Sequence, residues 1–412
     1  MIKSIRKKPI YKVFVWFAIL ACILCIYYMV SINSSTIIPY GDTVSYWATG
    51  RLLLRGDNPY SAKEVLKIQD EIGELQTSPL NEISMNLYPP WATPFALPLG
   101  LFSYSLTRVL WLLFHIIIII ISAKVIWIIY RGSTEKLYIP YLITIVFIPT
   151  IILLGVGHNS ALLLLGASGF LYFIQKSNNT NRNYFLAGVC AALTTLKPQI
   201  LYLFLIALFL WIIQNRAWQV LWGGVFAISV LTLVPMAFDP QVISHYLATF
   251  SNYNYGTWAT PTIGSFLRLF FGIEKGWLQF LPSIIGFGWL FFHWHKHKET
   301  WVWLKEMPIL IFACVITSAY VWIYDMVPLL IPVIAIMVEM NRIRFNWVVG
   351  MYMFIYFLVN VVAFYLHSFL FDFWFIWFAP FLLLWYFIGR RISQRSIHDQ
   401  RILNIETLTR GN

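Results

Sequence analysis

Charged residues are scarce in this sequence. Asp, Glu, Lys and Arg make up 11% of the 412 residues, 59% are hydrophobic, and the mean hydropathy is +0.71. A soluble globular domain of ordinary composition is about 25% charged, so this composition argues against a soluble protein. The apolar residues form runs of roughly 20, each ended by a short polar cluster, which is typical of membrane-spanning helices. The short alternating strands of a membrane β-barrel are missing, so the spans are expected to be helical.

Cysteines and nucleotide-binding motifs are also scarce or absent. The four cysteines, Cys22, Cys25, Cys190 and Cys314, all lie inside apolar runs. We therefore interpret the CxxC of Cys22 and Cys25 as packing residues rather than as a metal or redox motif. There is no GxxxxGK[ST] and no GxGxxG after a strand. An enzyme of this kind, with no nucleotide pocket, would need an activated substrate carried by a lipid.

The remaining pattern predicts an all-α polytopic membrane protein with a single domain, 1–412. The basic start KSIRKKPIYK precedes a long apolar run without a small-residue cleavage site, which indicates an uncleaved first span. We predict about twelve spans, at 13–31, 106–130, 138–156, 159–175, 184–197, 199–213, 218–238, 277–293, 307–322, 324–340, 346–366 and 371–389.

The charges predict the orientation of these spans. The net charge is +12, but the basic residues lie beside spans in alternate loops, which is the positive-inside pattern and not a nucleic-acid surface. We therefore expect a multi-pass protein of the cell membrane with both termini in the cytoplasm. The prediction places two loops outside, 31–105 and 239–276, and a basic tail inside, 390–412. The stretch 87–103 is too short for a full span and is predicted to be interfacial or re-entrant, as is a helix beginning at Pro261.

Asp42 is the first candidate functional residue. It lies in GDTVSYWATGRLLLRGDNPY, directly after the first predicted span and beside the aromatic residues Tyr46 and Trp47. Asp at this place is either a helix N-cap or a general base, since a carboxylate beside water-excluding aromatics can accept the proton of an attacking hydroxyl. Asp57, in the Gly-Asp-Asn-Pro turn that closes the stretch, is interpreted as turn chemistry.

Further candidates lie at the ends of later predicted spans. Lys197, before Pro198, is either a snorkelling side chain or a partner for a phosphate at headgroup depth. His158 is a second phosphate candidate, although a lone His is more often structural, and Arg268 is a third. Asn159 has an amide suited to a sugar, and Asp325 either orders a cation or sugar or caps its helix.

Taken in order, these stretches resemble the polytopic glycosyltransferases of the GT-C class, and most closely glycosyltransferase family 87, also labelled domain of unknown function 2029. The resembling pieces are GDTVSYWATGRLLLRGDNPY, LYPPWATPFALPLGLF, GHNSALLLL, LAGVCAALTTLKPQ and SAYVWIYDMVPLL. The family includes polyprenol-phosphate-mannose-dependent α-mannosyltransferases. The resemblance implies a GT-C fold with interfacial helices in the first outer loop and a catalytic base at Asp42. Tyr88 of the YPP motif and the Lys197–Pro198 pair also match the family pattern. His158 departs from it, because family members commonly carry Gln at that position.

The resemblance implies inverting transfer of a hexose, with mannose as the expected sugar, from a polyprenyl phosphate to a glycan or glycolipid acceptor. The active site would lie on the outer face, among membrane lipids. Lys197, Arg268 and His158 would bind the donor phosphate. The predicted substrate contacts are Tyr46, Trp47, Tyr88, Asn159, Gln199 and Asp325. No cofactor or metal is required in principle, because the donor carries one phosphate. The alternatives are a lipid-linked sugar flippase and a polymer transferase of the O-antigen ligase type.

Overall fold

The protein is all-helical in a computed structural model that describes residues 41–71, 85–176, 180–252, 258–343 and 345–410, with the side chains of 396–410 left out. No β-strand occurs in these ranges. The α-helices, in chain order, are α1 Thr43–Arg55, α2 Ala62–Asp70, α3 Tyr104–Ile129, α4 Tyr138–Val146, α5 Ile148–Val156, α6 Ala161–Gln175, α7 Asn181–Ala192, α8 Tyr202–Asn215, α9 Trp218–Met236, α10 Val242–Asn252, α11 Ile263–Phe271, α12 Leu281–His297, α13 Trp303–Thr317, α14 Leu330–Arg342, α15 Trp347–His367 and α16 Phe378–Arg410.

Short 3₁₀ helices join several of these elements. They lie at Pro90–Phe95, Leu97–Leu101, Thr134–Lys136, Leu193–Leu196, Gly276–Gln279, Lys298–Thr300, Ile323–Leu329 and Asp372–Trp377. Most of them extend or interrupt an apolar run that the sequence presents as continuous. A 3₁₀ segment in such a place often marks a functional or strained position.

Span 13–31 lies outside the described residues, and span 138–156 corresponds to two α-helices, α4 and α5. Each other predicted span coincides with a helix or with a helix and its 3₁₀ extension. By length and composition, five helical segments are able to cross a membrane, or six if a bent pair counts as one span. The five are Tyr104–Ile129, Trp218–Met236, Ile323–Arg342, Trp347–His367 and Asp372–Arg395. The count of twelve is therefore not confirmed, because several apolar helices in the described part are shorter than a bilayer requires.

The bent pair consists of α4 and α5, which meet at an angle of 69°. Phe147 has an extended ψ of 113°, and Pro149 follows in the first turn of α5. Proline lacks the N–H that a continuous helix would use, so the chain restarts there as a new helix. The bend directs the end of α5 towards α1, where the main-chain N–H of Asp42 donates to the carbonyl of Val156 at 3.0 Å.

The predicted interfacial segment 87–103 folds as two 3₁₀ helices, separated at Ala96, rather than as one α-helix. They pack directly against α1: a Cβ at Gly50 would collide with the main chain of Ala96 and Gly100. The two glycines thus allow a close backbone approach that any side chain would prevent. This contact fixes the helix that begins after Asp42. The helix predicted near Pro261 is also present, beginning at Ile263 with Thr262 as its N-cap.

The core and the outer surface both fit a protein surrounded by lipid. One buried cluster unites α3 to α8 with α13 to α16, and includes Trp127, Phe170, Phe204 and Phe312. Large apolar side chains such as Trp222, Phe226 and Leu233 on α9 are exposed. Exposed apolar faces of this size are expected where lipid replaces water. α16 continues as one helix from Phe378 to Arg410, so the predicted basic tail is helical as far as Arg410.

Candidate active site

Breaks between helices bring most of the predicted site residues together at one end of the bundle. Asp42 lies at the start of α1, His158 between α5 and α6, and Lys197 between the Leu193–Leu196 helix and α8. Tyr88 precedes the Pro90–Phe95 helix, and Asp325 lies in the Ile323–Leu329 helix. The polar residues therefore gather at one end, as predicted, whereas the side of the membrane that this end faces stays a prediction.

Asp42 lies at the mouth of the cluster. It occupies the N-cap position of α1, yet its carboxylate accepts no capping hydrogen bond. Its side chain keeps 35% of its surface exposed, and Oδ2 lies 3.7 Å from Nε2 of His158. Burial on the remaining sides raises the pKa of Asp42 from 3.8 to about 6, with Lys197 opposing the rise and Asp325 adding to it. The carboxylate is therefore not used as a cap, and its raised pKa brings its ionisation closer to neutral pH.

His158 occupies the centre of the cluster. Gly157 ends α5 in a left-handed conformation, with φ at 72°, and the turn that follows places the imidazole inside. The side chain is 2% exposed and its ring stacks on that of Tyr324, with centroids 4.1 Å apart. Burial, and secondarily the charge of Lys197, holds the pKa of His158 well below its usual value of 6.5. The imidazole is therefore neutral.

Lys197 and Asp325 form a buried ion pair behind His158. Nζ lies 2.9 Å from Oδ1 and 3.1 Å from Oδ2, and the two side chains are 13% and 1% exposed. Pro198 prevents the preceding helix from continuing, since the residue before a proline is disfavoured in the α conformation; Lys197 accordingly has φ −132° and ψ 78°. Nζ is also 2.9 Å from Nε2 of His158. Lys197 is thus committed to protein partners rather than standing free for a phosphate.

Two tyrosines, Tyr88 and Tyr46, pack beside His158 in the cluster. The hydroxyl of Tyr88 contacts Nε2 of His158, and Lys197 Nζ lies 5.2 Å from the centre of the Tyr88 ring. Tyr46 is buried beside it, with ring centroids 5.9 Å apart. Both predicted contacts are therefore in the cluster. Aromatic faces around an ammonium stabilise its charge in place of water.

Trp47 does not face the cluster. Its indole N–H donates to the carbonyl of Phe102 at 3.1 Å, and its ring packs on Tyr104 on the other side of α1. Adjacent residues on an α-helix point about 100° apart, so only one of Tyr46 and Trp47 is able to face Asp42. The structure assigns that place to Tyr46, and Trp47 anchors α1 to the loop that precedes α3.

The other predicted residues differ in their placement. Asn159 is buried in the turn, with its N–H 3.5 Å from the Tyr46 hydroxyl. Gln199 contributes its main-chain carbonyl, which accepts from Ser318 Oγ at 2.8 Å. Arg268 is buried in α11 and donates to the carbonyl of Ile273 and to Gln279 Oε1. These hydrogen bonds stay within the segment from Arg268 to Gln279, so they indicate a structural role in the second loop.

The sequence interpretation missed two members of the cluster, Ser160 and Tyr324. Ser160 is fully buried and its hydroxyl lies 2.5 Å from Oδ1 of Asp325. The run His-Asn-Ser between two apolar helices was the available signal, but a serine before a helix is ordinarily interpreted as a cap. The structure records no cap bond from its side chain. The cluster as a whole places the partly exposed carboxylate of Asp42 beside the neutral imidazole of His158. The buried ion pair of Lys197 and Asp325 lies behind that imidazole.

Helices of membrane-spanning length and an ionisable cluster at one end define an all-helical membrane protein with an enzyme-like site. The chain belongs to glycosyltransferase family 87, since the model of that family matches residues 86–323, more than half of its length. The protein is therefore a glycosyltransferase. The matched stretch contains Tyr88, His158 and Lys197, whereas Asp42 and Asp325 lie outside it. None of the curated proteins and none of the solved structures compared matches the chain.

Proposed function

We propose that this glycosyltransferase moves a hexose, with mannose as the expected sugar, from a polyprenyl phosphate to a lipid-linked or envelope glycan. The observation that supports this most is the carboxylate of Asp42. It is partly exposed, carries no capping bond, and has a pKa raised to about 6. A base works best when its pKa lies near the operating pH, because it is then ionised and still able to hold a proton.

The proposed reaction is a single displacement with inversion. The acceptor hydroxyl oxygen attacks the anomeric carbon of the donor sugar and forms the new glycosidic bond. The bond between that carbon and the phosphate oxygen breaks, and polyprenyl phosphate leaves with the electron pair. Asp42 takes the hydroxyl proton. The donor carries one phosphate, so in principle the reaction requires no metal ion.

Lys197 is the proposed partner of the leaving phosphate, with His158 beside it. Its ammonium group donates to both oxygens of Asp325 and to His158. A phosphate oxygen must therefore draw one of these N–H groups away from Asp325. Charge-assisted hydrogen bonds to phosphate and to carboxylate are of similar strength, so such an exchange costs little. We do not extend this role to Arg268, because its guanidinium donates within its own loop.

The test of the base is Asp42→Asn in the purified full chain, reconstituted in lipid nanodiscs. The substrates are radiolabelled polyprenyl-phosphate mannose and a glycolipid extract of the producing cells. We expect transfer to fall at least about 100-fold, which is the lower end of what general-base catalysis contributes. Asp57→Asn is the matched control, since Asp57 is an exposed carboxylate at the other end of α1. Transfer by Asp42→Asn at the wild-type rate would end the assignment.

The same assay separates the transferase from a flippase. Release of the sugar that depends on the acceptor indicates transfer, whereas movement of the intact donor between leaflets indicates transport. Transporters place polar groups near the middle of the membrane, and here they gather at helix ends instead. We therefore expect acceptor-dependent release, at a site on the outer face of a multi-pass membrane protein.

A further inference from the structure

The hydroxyl of Ser160 connects His158 to Asp325 inside the cluster. Oγ lies 2.5 Å from Oδ1 of Asp325 and 2.9 Å from Nδ1 of His158. A carboxylate only accepts hydrogen bonds, so the Ser160 hydroxyl proton points at Asp325. Its oxygen is then left to accept, and the group that can donate to it is Nδ1–H of His158.

The contacts of Nε2, the other ring nitrogen of His158, favour the same tautomer. Nζ of Lys197 lies 2.9 Å from Nε2, and an ammonium group only donates. Nε2 must therefore offer its lone pair, and since the imidazole is neutral its proton is on Nδ1. With the Lys197–Asp325 pair, this closes a ring of hydrogen bonds through four side chains: Lys197, His158, Ser160 and Asp325.

One contact favours the opposite tautomer. The main-chain N–H of Ser160 lies 3.2 Å from Nδ1 and points towards it. The four bonds of the ring are shorter, and three of them involve an ammonium or a carboxylate. Hydrogen bonds to charged groups are roughly twice as strong as those between neutral groups, so the ring decides the tautomer.

We infer that Ser160 is a positioning residue that holds His158 as the Nδ1–H tautomer and so keeps an N–H away from Asp42. Oδ2 of Asp42 lies 3.7 Å from Nε2. A proton on Nε2 would place a positive partial charge near that carboxylate, stabilise its ionised form, lower its pKa and weaken it as a base. The catalytic consequence rests on the proposed function; the tautomer does not.

Several other groups also bear on the imidazole. The charged ones that face it are Asp42, Lys197 and Asp325, and the remaining titratable ones are Tyr46, Tyr88, Tyr324 and His115. Of these groups, Asp325 is the one that accepts a hydrogen bond from the Ser160 hydroxyl. Removing the Ser160 hydroxyl thus weakens the preference for the Nδ1–H tautomer without removing any charge from the cluster.

The experiment is ¹⁵N NMR of the full chain labelled at its histidines, in lipid nanodiscs. Ring nitrogens with and without a proton give separate resonances, and His158→Gln identifies those of His158. In the wild type we expect a protonated Nδ1 and an unprotonated Nε2. In Ser160→Ala the Ser160 main-chain N–H still favours an unprotonated Nδ1 while Lys197 still donates to Nε2, so we expect a measurable fraction of His158, but not all of it, to carry its proton on Nε2. Ser168→Ala is the matched control, because Ser168 is equally buried in α6 and its hydroxyl bonds to the carbonyl of Leu165.

Two spectra would overturn the inference: a wild-type His158 with its proton on Nε2, or a Ser160→Ala variant whose tautomer is unchanged. The wild-type spectrum needs no variant of Ser160, so the tautomer is tested even if Ser160→Ala fails to fold. Ser160→Thr keeps the hydroxyl and is expected to restore the wild-type pattern.

Activity provides the second readout. In Ser160→Ala we expect the acid limb of the kcat/KM profile to move down by about one pKa unit, with a lower plateau. If the tautomer changes as expected while Asp42→Asn keeps full activity, the proposed function fails and the positioning role of Ser160 stands. If Asp42→Asn is inactive and the tautomer does not respond to Ser160, the reverse holds.

Discussion

The two partners of the buried Lys197–Asp325 pair should have opposite effects on the pKa of Asp42. The charge of Lys197 lowers the pKa of Asp42, and that of Asp325 raises it. Replacing the lysine, in Lys197→Met, should therefore raise the pKa of the base, and Asp325→Asn should lower it. Since Asp42 must be ionised to accept a proton, kcat/KM falls below this pKa, which is about 6 in the wild type. The acid limb should move up in the first variant and down in the second.

The size of the effect follows from the distances. Nζ lies 2.9 Å from Nε2 of His158, and Nε2 lies 3.7 Å from Oδ2 of Asp42, so the two charges are at most roughly 6.6 Å apart. At an effective dielectric constant of about 20, their interaction is about 2.5 kcal/mol, or nearly 2 pKa units. The carboxylate is one-third exposed, and solvent screening reduces this value. We expect a shift of about one unit for Lys197→Met and a smaller one for Asp325→Asn.

The assay is the kcat/KM profile between pH 4.5 and 8 in nanodiscs, a parameter that reports the pKa of the free enzyme. Removal of one partner of a buried pair costs about 3–5 kcal/mol of stability, so each variant also needs a thermal melt. The double variant, Lys197→Met with Asp325→Asn, leaves no unpaired charge. The acid limb of its kcat/KM profile should therefore lie at a pH only slightly higher than in the wild type. Infrared spectra of the Asp42 carboxyl, with Asp42→Asn as the blank, follow the same pKa without turnover.

Shifts of the same sign in both single variants would refute this reasoning, as would a limb that does not move in either folded variant. In that case the group that titrates near pH 6 would not be Asp42, or the ion pair would not act on it. If the infrared spectra show a shift in the pKa of Asp42 but the kcat/KM profile does not move, Asp42 does not take part in the rate-determining proton transfer.

Two further predictions concern stability. Gly50→Ala places a methyl group against the main chain of Ala96 and Gly100 and should cost about 1–3 kcal/mol in a thermal or denaturant melt. Gly288→Ala, within α12 and with open space around it, should cost nothing, and equal effects would contradict the close packing of α1. Arg268→Gln should lower the melting temperature and leave the donor KM unchanged, because its guanidinium bonds to Ile273 and Gln279. Its control is Arg55→Gln at an exposed ion pair; a raised KM in a variant of normal stability would instead restore Arg268 as a phosphate ligand.

The helices were accessible from the sequence because their signals are local. These signals act within a few residues of where they stand. They are the apolar runs, the prolines that follow Phe147 and Lys197, and the glycines at helix ends. Every predicted span in the described residues contains a helix for this reason. The number of spans is not a local property, since the lengths of 9–15 residues in α4, α5, α7 and α13 depend on where breaks and 3₁₀ turns interrupt the apolar pattern.

The composition and the ordered motifs of the sequence alone led to glycosyltransferase family 87, and they singled out Asp42, His158 and Lys197. They did not determine what those residues contact. Tyr46 and Trp47 are alike as neighbouring aromatics, and only the rotation of α1 against the 87–103 segment decides which of them faces the base.

Only the tertiary structure joined Lys197 to Asp325, which are 128 residues apart, and made Ser160 the link between that pair and His158. A side chain's neighbours across helices depend on how all the helices pack, and no local pattern encodes them. For that reason the sequence supplied the groups of the candidate site, and the fold decided that Lys197 is paired, that His158 is neutral, and that Asp42 is the most exposed of these charged and imidazole groups.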